Sequence, residues 1–392
     1  MPEKAASRAR KIVNEGDILY STVRPYLHNM CIINREFSRE AIASTGFAVL
    51  KCCADYSNEF LFYYMMSPDF DSYANDTANS KGVAYPAIND ERLSMALVPI
   101  PPVSEQRRIL KQLLEILPTI QMYDITHQRL EKLNDTFPAQ LKKSILQDAV
   151  QGKLVLQDPA DEPASALLER IRAEKEQLIK EGKIKRDKHE SVIFRRDNSY
   201  YEKVDGIERC IDDELPFEIP ESWEWCRLKS LTENITSGSR DWAKYYSTTG
   251  AAFLRMGNLS KNSFDLRLEH IQRVSIPSKA EGTRTSLQSG DLLFSITGDV
   301  GMLGLIPDGF EKAYINQHTA MIRFLPEMRN KYIPYLLLTD YAQKFYNANQ
   351  HGIKNSFRLD SIGELLVSIP PEKELFRILQ RISLVLSKIA VL

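Results

Sequence analysis

The hexapeptide Gly-Asp-Ile-Leu-Tyr-Ser at residues 16–21 recurs as Gly-Asp-Leu-Leu-Phe-Ser at residues 290–295, 274 positions further along the 392-residue chain. A short apolar run led by Gly-Asp is typical of a strand that leaves a turn. A second match follows in the same order, because residues 58–64 resemble residues 330–336 at a spacing of 272. Loop insertions explain such a small drift in spacing. The sequence therefore predicts two copies of one domain, because the period is too long for a solenoid.

The two copies differ in completeness. The second copy starts near residue 216, so 74 residues separate Pro216 from Gly290, whereas only 15 residues precede Gly16. We therefore expect roughly 60 residues to be absent from the front of the first copy. The predicted fold class is α+β, with two related mixed α/β domains separated by long coiled-coil-like helices. The predicted divisions are residues 1–102 for the C-terminal part of the first domain, 103–152 for a long helical region, 153–215 for a charged linker with a short helix, 216–371 for the second domain and 372–392 for the start of a second helix.

The long helical region has the apolar spacing of a coiled coil. Its predicted seam advances in steps of four and three residues and comprises Ile109, Leu113, Ile116, Ile120, Tyr123, His127, Leu130, Asn134, Phe137 and Leu141. Pro118 and Pro138 are expected to kink or split this helix, because proline donates no backbone hydrogen bond. The second copy repeats the start of the pattern from Leu375. The two helices are expected to pack on each other or, alternatively, each on its own domain.

A Lys/Arg-rich run covers residues 180–196 of the predicted linker. Such a run favours either a solvated linker, which is the more common case, or a tract that contacts phosphates. A short amphipathic helix is predicted ahead of it, from about Glu162.

Composition excludes several classes of protein. Hydrophobic residues make up 43% and charged residues 26%, as in ordinary globular chains. The 51 Lys and Arg against 52 Asp and Glu leave a net charge of −1, so any basic surface is local. Five cysteines without C-x-x-C spacing favour a reducing compartment and disfavour a zinc site. We expect a cytoplasmic protein, because no apolar run approaches the ~20 residues of a membrane helix.

The sequence contains no recognised catalytic motif of the phosphate-binding, dinucleotide-binding or nucleophile-elbow type. The candidates for function are therefore polar and aromatic loop residues of the types that read base edges and hold phosphates. The predicted DNA-binding residues are Ser237, Ser239, Arg240, Tyr245, Tyr246, Arg255, Asn258, Arg284, Asn316, Gln317, Lys354 and Asn355 in the second copy, and Arg24, Tyr26 and Lys81 in the first. Each could instead be an ordinary loop residue, and Asn316 with Gln317 could satisfy backbone groups in a turn.

The chain resembles the specificity subunits of type I restriction–modification systems. The resemblance rests on residues 15–25, 99–109, 141–154, 219–225 and 315–318, which together extend over nearly the whole chain. It implies a non-catalytic protein with two target-recognition domains, each of which binds one half of a split sequence in double-stranded DNA. It also implies two methyltransferase subunits and the restriction (motor-nuclease) subunits as partners. S-adenosylmethionine, ATP and magnesium are then expected on those partners, and no cofactor or membrane contact on this chain.

The chain departs from the family pattern in the first domain and in the second helix, which are both shortened. Gln106 of the first copy is replaced by Leu375 in the second. An alternative reading is therefore a truncated adaptor, or a fragment of a recombining locus, which binds the methyltransferase subunit and reads only one half-site. A third interpretation is an enzyme with an unrecognised site, and no sequence motif supports it.

Overall fold

The computed structural model describes residues 8–53, 55–76, 86–276, 285–352 and 355–390. The chain divides into two compact units, Met1–Lys132 (unit 1) and Leu133–Leu392 (unit 2). Across the described ranges, no helix combines the length and apolarity that a membrane crossing requires.

Unit 1 consists of small antiparallel sheets covered by short helices. Its strands are β1 Ala9–Val13, β2 Ile18–Ser21, β3 Met30–Ile32, β4 Ala41–Ser44 and β5 Phe47–Leu50, and its helices are α1 Asn58–Met65, α2 Pro68–Asn75, α3 Asp90–Ser94 and the start of α4 Val103–Val150. Strand β2 lies between β3 and β5, and β1 pairs with β4. The core forms where Tyr20 and Ala48 of the sheet meet Met65 and Phe70 of the helices.

Unit 2 contains the end of α4 and a larger set of mixed elements. Its further helices are α5 Ala164–Lys180, α6 Tyr332–Leu336, α7 Asp340–Asn349, α8 Leu359–Gly363 and α9 Glu372–Ile389, and its strands are β6 Ser191–Arg196, β7 Ser199–Val204, β8 Ile207–Cys210, β9 Glu224–Arg227, β10 Thr232–Ser237, β11 Tyr246–Ser247, β12 Ala251–Leu254, β13 Gln272–Val274, β14 Leu292–Ser295, β15 Leu303–Leu305, β16 Ala313–Ile315, β17 Thr319–Phe324, β18 Gln350–His351, β19 Ser356–Phe357 and β20 Leu366–Ile369. The two main sheets have the orders β10-β17-β14-β15 and β11-β13-β12-β16. The predicted fold class is confirmed.

Strand register confirms the duplication. In unit 1, Tyr20 on β2 faces Ala48 on β5. In unit 2, Phe294 on β14 faces Ala320 on β17, which is the equivalent pair in the repeat. On its other edge, β2 pairs antiparallel with β3. In the same way, the other edge of β14 pairs antiparallel with β15. Two segments 274 residues apart therefore form the central strand of the same three-strand arrangement.

The Gly-Asp turn ahead of each central strand has the same geometry in both units. Gly16 and Gly290 have φ values of 86° and 82°, a left-handed conformation that favours glycine. The buried carboxylate of Asp17 accepts a hydrogen bond from the Asn14 backbone N–H at 2.8 Å.

In unit 2 the equivalent carboxylate of Asp291 accepts from the Gln288 backbone N–H, also at 2.8 Å. The charge on this aspartate is balanced differently in the two units. Asp291 is 1% exposed and accepts from Arg323 Nε at 2.7 Å and Nη2 at 2.6 Å. Asp17 instead lies 3.6 Å from Nζ of Lys51, whose side chain is 55% exposed. The paired guanidinium makes the unit 2 turn the more tightly held of the two.

Helix α4 runs without interruption through Pro118 and Pro138, so the predicted split of the helix is wrong. A proline inside a helix removes one backbone hydrogen bond, and the remaining bonds of a 48-residue helix maintain its continuity. Several predicted seam residues in its middle are exposed, among them Ile120 at 54% and Tyr123 at 69%.

Helix α9, in contrast, is buried along one face. Its Leu375, Ile378 and Ile382 belong to the core of unit 2, together with Leu146 and Val150 at the end of α4. Helix α9 therefore packs on its own unit, which is one of the two predicted alternatives.

The segment expected as a charged linker is folded. It contains helix α5, as predicted, and also the three-stranded antiparallel sheet β6-β7-β8, which includes the end of the Lys/Arg-rich run. The prediction of a solvated linker is therefore wrong for residues 191–196. Two tight turns connect these strands, with positive φ at Asp197 and Asn198 in one and at Asp205 and Gly206 in the other. Residue pairs of this kind favour the type I′ turns of β-hairpins, so they are the local sequence signal for this sheet.

A buried ionic network fixes this sheet to β9. Glu202 is 2% exposed and accepts hydrogen bonds from Arg227 Nε at 2.8 Å, Ser191 Oγ at 2.6 Å and Arg209 Nη2 at 2.5 Å. Burial alone would raise the pKa of Glu202, but these donors outweigh it and lower the pKa to about 2. The carboxylate is thus charged in the folded protein at any ordinary pH.

We predict that Asp291→Asn lowers the free energy of unfolding of unit 2 by about 3 kcal/mol, because it leaves a largely buried guanidinium without its counter-charge. Urea unfolding followed by tryptophan fluorescence measures this, since Trp223, Trp225 and Trp242 all lie in unit 2. Asp17→Asn is the matched control in the equivalent turn, and it should leave the tryptophan transition unchanged. Equal shifts in the two variants would contradict the prediction.

We predict that unit 2 loses about 3 kcal/mol of stability as the pH falls from 4.5 towards 2 because of Glu202. The pKa of Glu202 is lower in the folded state, about 2 against an ordinary 4.5, so its contribution is complete above pH 4.5 and disappears as the carboxylate protonates. Glu202→Gln should reduce stability at neutral pH and flatten the acid dependence in tryptophan-monitored unfolding. Glu208→Gln, an exposed carboxylate on β8, should keep the wild-type pH profile, and a Glu202→Gln profile as steep as wild type would refute this assignment.

Candidate nucleic-acid interface

Loops of unit 2 converge on a concave, polar surface. A groove of about 1220 Å³ is lined by Arg255, Met256, Gly257, Asn258, Arg267, Glu269, His270, Thr297, Gly298, Asp299, Asn316, His318, Asn355 and Ser356. A smaller hollow of about 510 Å³ shares Thr297 and His318 with it and is otherwise lined by Ser237, Gly238, Ser239, Arg240, Asp241 and Gln317. We call the two hollows together the loop face. Eight of the residues predicted to bind DNA meet there: Ser237, Ser239, Arg240, Arg255, Asn258, Asn316, Gln317 and Asn355.

The other predicted residues lie elsewhere. Tyr245 packs on Trp242 with ring centroids 6.2 Å apart, and Tyr246 on β11 lies 5.8 Å from the ring of Phe253. Neither tyrosine lines the loop face. Arg24 and Tyr26 lie in unit 1. The predictions for Arg284, Lys354 and Lys81 fall outside the described residues.

Gly238 brings two loops of the face together. A Cβ at this position would lie 2.1 Å from the carbonyl oxygen of Ile315 and 2.5 Å from that of Asn316, so only glycine allows the approach. The next residue, Ser239, forms a parallel bridge with Asn316. The end of β10 and the turn after β16 are therefore held side by side by backbone contact.

Asn316 organises the turn between β16 and β17. Its Oδ1 accepts hydrogen bonds from the His318 backbone N–H and from Thr319 Oγ1, both at 3.2 Å. The interpretation in which Asn316 satisfies turn groups is thus confirmed, while its contact with DNA stays a prediction.

His318 adds a polar chain across the two hollows. Its Nδ1 lies 2.8 Å from Thr297 Oγ1, and its Nε2 lies 3.0 Å from Nε2 of Gln317. Because an amide nitrogen only donates, His318 Nε2 accepts from Gln317 and the Nδ1–H donates to Thr297. The hydroxyl proton of Thr297 and the amide oxygen of Gln317 then remain for a ligand.

Asn258 positions two arginines rather than facing the groove freely. The residue is 5% exposed, its Oδ1 accepts from the Arg255 backbone N–H at 3.0 Å, and its Nδ2 donates to the Arg267 carbonyl at 2.9 Å. Both ends of the amide are therefore used in holding the loop. This structural role accounts for both polar ends of the Asn258 side chain, and a contact of Asn258 with DNA stays a prediction.

Three guanidinium groups on the loop face are available to a ligand. Within the described ranges, the side chains of Arg240, Arg255 and Arg267 form no hydrogen bond or ion pair, whereas Arg323 elsewhere in the unit is paired with an aspartate. An unpaired guanidinium is suited to bidentate contact with guanine or with a phosphate.

The loop face also contains residues that the sequence did not single out. Arg267 and His270 line the groove, as do the carboxylates of Glu269 and Asp299. A carboxylate repels phosphate but can accept a hydrogen bond from the N4 amino group of cytosine. No sequence motif marks these residues, because the path of a loop brings them to the groove: Arg267, Glu269 and His270 follow β12, and Asp299 follows β14.

Unit 1 contains the same loop framework. The Thr22 N–H donates to the Gly46 carbonyl at 3.0 Å, as the Ile296 N–H donates to the His318 carbonyl at 3.0 Å in unit 2. The Gly46 N–H lies 3.4 Å from Ser44 Oγ, so Ser44 takes the turn-organising place that Asn316 has in unit 2.

Arg24 has φ 52° and occupies the turn position of Gly298, which has φ 73°. Tyr26, two residues later, is 47% exposed. The structure therefore places both predicted residues of unit 1 at the counterpart of the loop face, on the same backbone frame but with different side chains.

Comparisons with known proteins agree with this duplicated, loop-bearing architecture. The family model "Type I restriction modification DNA specificity domain" matches residues 5–135. The specificity subunit of the type I restriction enzyme EcoAI from Escherichia coli is 31% identical over 289 residues, which cover 62% of this chain and 45% of that protein. The EcoEI specificity subunit, also from E. coli, is 30% identical over 241 residues, or 59% of this chain and 37% of that protein.

A solved structure, that of the HsdS subunit from Thermoanaerobacter tengcongensis, shares the fold with a TM-score of 0.51 at 20% identity, over 100% of this chain and 78% of that one. The matched regions span less than half the length of the two curated relatives. Residues 5–135 thus match the DNA specificity domain of type I restriction–modification systems, and the chain is similar to the specificity subunits of such systems.

We predict that Gly238→Ala separates the loops of the face, because the added Cβ cannot fit against the carbonyl oxygens of β16. Hydrogen exchange at residues 237–239 and 316–318 should accelerate at least tenfold, with a loss of about 1–3 kcal/mol in unfolding free energy. Gly257→Ala is the matched control, because a Cβ there meets no atom within 4 Å. Unchanged exchange in Gly238→Ala would show that the bridge does not organise the loops.

Proposed function

We propose that this chain is the sequence-recognition subunit of a type I restriction–modification complex. In this proposal unit 1 and unit 2 each read one half of a bipartite target in double-stranded DNA, and partner subunits methylate and cleave the DNA. The observation that carries the proposal is the loop face, where three arginines without a partner among the described residues, and several amide and hydroxyl groups, line two adjoining hollows. Such a surface is matched to base edges and phosphates in a duplex groove.

The net charge of the chain is consistent with DNA binding that is shared with partner subunits. A net charge of −1 supplies little long-range attraction for DNA, so affinity must come from local contacts and from partner subunits. The unpaired arginines of the loop face would then supply discrimination more than bulk affinity. Each good bidentate contact contributes about 1–3 kcal/mol of preference for its base.

The partners in this proposal are those that the family name implies. Two methyltransferase subunits would bring S-adenosylmethionine, and the restriction subunits would bring ATP and magnesium. The chain itself would be non-catalytic and cytoplasmic. The exposed apolar residues along the middle of α4, such as Ile116 and Ile120, are a surface on which the methyltransferase subunits could pack.

A second candidate is an adaptor that binds the methyltransferase subunits but reads one half-site only. A difference between the sheets of the two units favours it. Strand β17 is paired on both edges, by β10 and β14, whereas its counterpart β5 has a described partner on one edge only, β2. Unit 1 would then be an incomplete reader.

The test is a methylome of cells that express this chain with its methyltransferase subunit. We expect methylation at a bipartite motif, whereas a motif reduced to one half would favour the adaptor. Arg255→Ala combined with Arg267→Ala should abolish or relax recognition of one half-site while the methyltransferase subunit is still recovered in a pull-down. Arg273→Ala is the matched control, because this arginine is partly exposed, paired with Glu311 and absent from the groove lining. Cleavage or methylation of DNA by the purified chain alone would contradict both readings.

A further inference from the structure

Strand β20 of unit 2 forms a two-stranded sheet with β9. The two strands pair antiparallel, with Val367 opposite Cys226 and Ile369 opposite Glu224. The Leu228 N–H donates to the Leu365 carbonyl at 2.9 Å. Because hydrogen-bonded pairs alternate in an antiparallel ladder, Val367 and Ile369 direct their backbone groups towards β9.

On the side of β20 that faces away from β9, the inner side, tyrosine hydroxyls donate hydrogen bonds to the backbone carbonyl groups. The Leu366 carbonyl accepts from the Tyr341 hydroxyl at 2.9 Å, and the Ser368 carbonyl accepts from the Tyr332 hydroxyl at 2.8 Å. One edge of β20 therefore faces its own unit, and the other faces β9.

Residues 97–100 of unit 1 are the counterpart of β20. As in β20, tyrosine hydroxyls donate hydrogen bonds to the carbonyl groups on the inner side of this segment. The Leu97 carbonyl accepts from the Tyr64 hydroxyl at 2.7 Å, and the Pro99 carbonyl accepts from the Tyr56 hydroxyl at 3.0 Å. The segment is thus held as an extended edge. Pro99 takes the place of Ser368, whose N–H points away from β9, so this proline is compatible with strand pairing.

The outer side of this segment is open. Among the described residues, nothing pairs with the backbone groups of Val98 and Ile100, and the side chains of Leu97 and Ile100 are 90% and 80% exposed. An unpaired extended edge with apolar side chains is a template for another strand.

An apolar groove adjoins this open edge. It has a volume of about 760 Å³, and its lining includes Leu50, Tyr56, Leu61, Val98 and Ile100.

In the repeat, Tyr56 and Leu61 correspond to Met328 and Ile333 of unit 2, and both of these are buried in the core with Cys226, Leu228 and Leu231. The place that is a groove in unit 1 is therefore filled in unit 2 by β9 and the single turn that follows it.

We propose that residues 97–100 and the adjoining groove bind an extended segment of a separate partner polypeptide with the pattern of residues 224–231. Its strand pairs antiparallel with Val98 and Ile100, and two leucines at the spacing of Leu228 and Leu231 fill the groove. The identity of the occupant follows from unit 2, where a segment of this pattern makes the equivalent contacts. Main-chain pairing supplies affinity and the apolar side chains supply selectivity. The proposal does not depend on DNA binding.

The test uses a fluorescein-labelled synthetic peptide with the sequence of residues 219–231, Ile-Pro-Glu-Ser-Trp-Glu-Trp-Cys-Arg-Leu-Lys-Ser-Leu, and the full chain under reducing conditions. Fluorescence anisotropy should show saturable one-to-one binding. N-methylation of the peptide at the position of Cys226 should weaken binding at least tenfold, because this N–H faces the open edge. N-methylation at the position of Arg227 is the matched control and should change affinity less than threefold, because that N–H faces away. A glutamate in place of Leu228 should also weaken binding at least tenfold.

A variant of the chain identifies the site. Ile100→Pro removes one pairing N–H at an exposed position and should reduce peptide affinity at least tenfold, while far-UV circular dichroism and the unfolding transition stay those of wild type. Binding that survives this variant would show that the peptide binds elsewhere and would overturn the proposal, as would no saturable binding at millimolar peptide. A chain that dimerises and becomes monomeric in Ile100→Pro would identify a second copy as the occupant, which also overturns it.

Discussion

The structure depends on the buried carboxylate that follows glycine in each Gly-Asp turn. Asp17 and Asp291 each bind the backbone N–H three residues earlier, which closes the turn and fixes where the central strand begins. A shift of one residue in that strand would direct every core side chain to the opposite face, so the turn sets the register of the whole sheet. The matching pairs Tyr20 with Ala48 and Phe294 with Ala320 are the result.

The loop frame follows from this register. Once β14 and β17 are aligned, the Ile296 N–H reaches the His318 carbonyl, and the turn that contains Asn316 is placed beside the close approach at Gly238. Unit 1 builds the equivalent frame from Thr22, Gly46 and Ser44. The polar side chains of the loop face are thus positioned mainly by main-chain contacts, and Arg240, Arg255 and Arg267 have no side-chain partner among the residues that the structure describes.

Local signals in the sequence predicted the parts of the fold that depend on them. The repeated hexapeptide predicted both central strands, and the four-and-three spacing predicted α4. The sheet β6-β7-β8 was missed because the Lys/Arg run was interpreted as a linker and the Asp205-Gly206 pair was not recognised as a turn signal. The buried Glu202–Arg227 pair also joins residues that are distant in sequence. Eight predicted site residues do meet at the loop face, yet Arg267 and His270 were missed, since their approach to the groove depends on the path of a loop that no motif records.

The left-handed turn shared by Arg24 and Gly298 shows how little of the frame depends on side-chain identity. The same backbone path accepts a long cation in one copy and no side chain in the other. Residues at these tips can therefore change while the turn is kept, at a cost of about 1 kcal/mol where a side chain replaces glycine. In the proposed function, duplication then allows the loop tips of the two copies to diverge independently of each other.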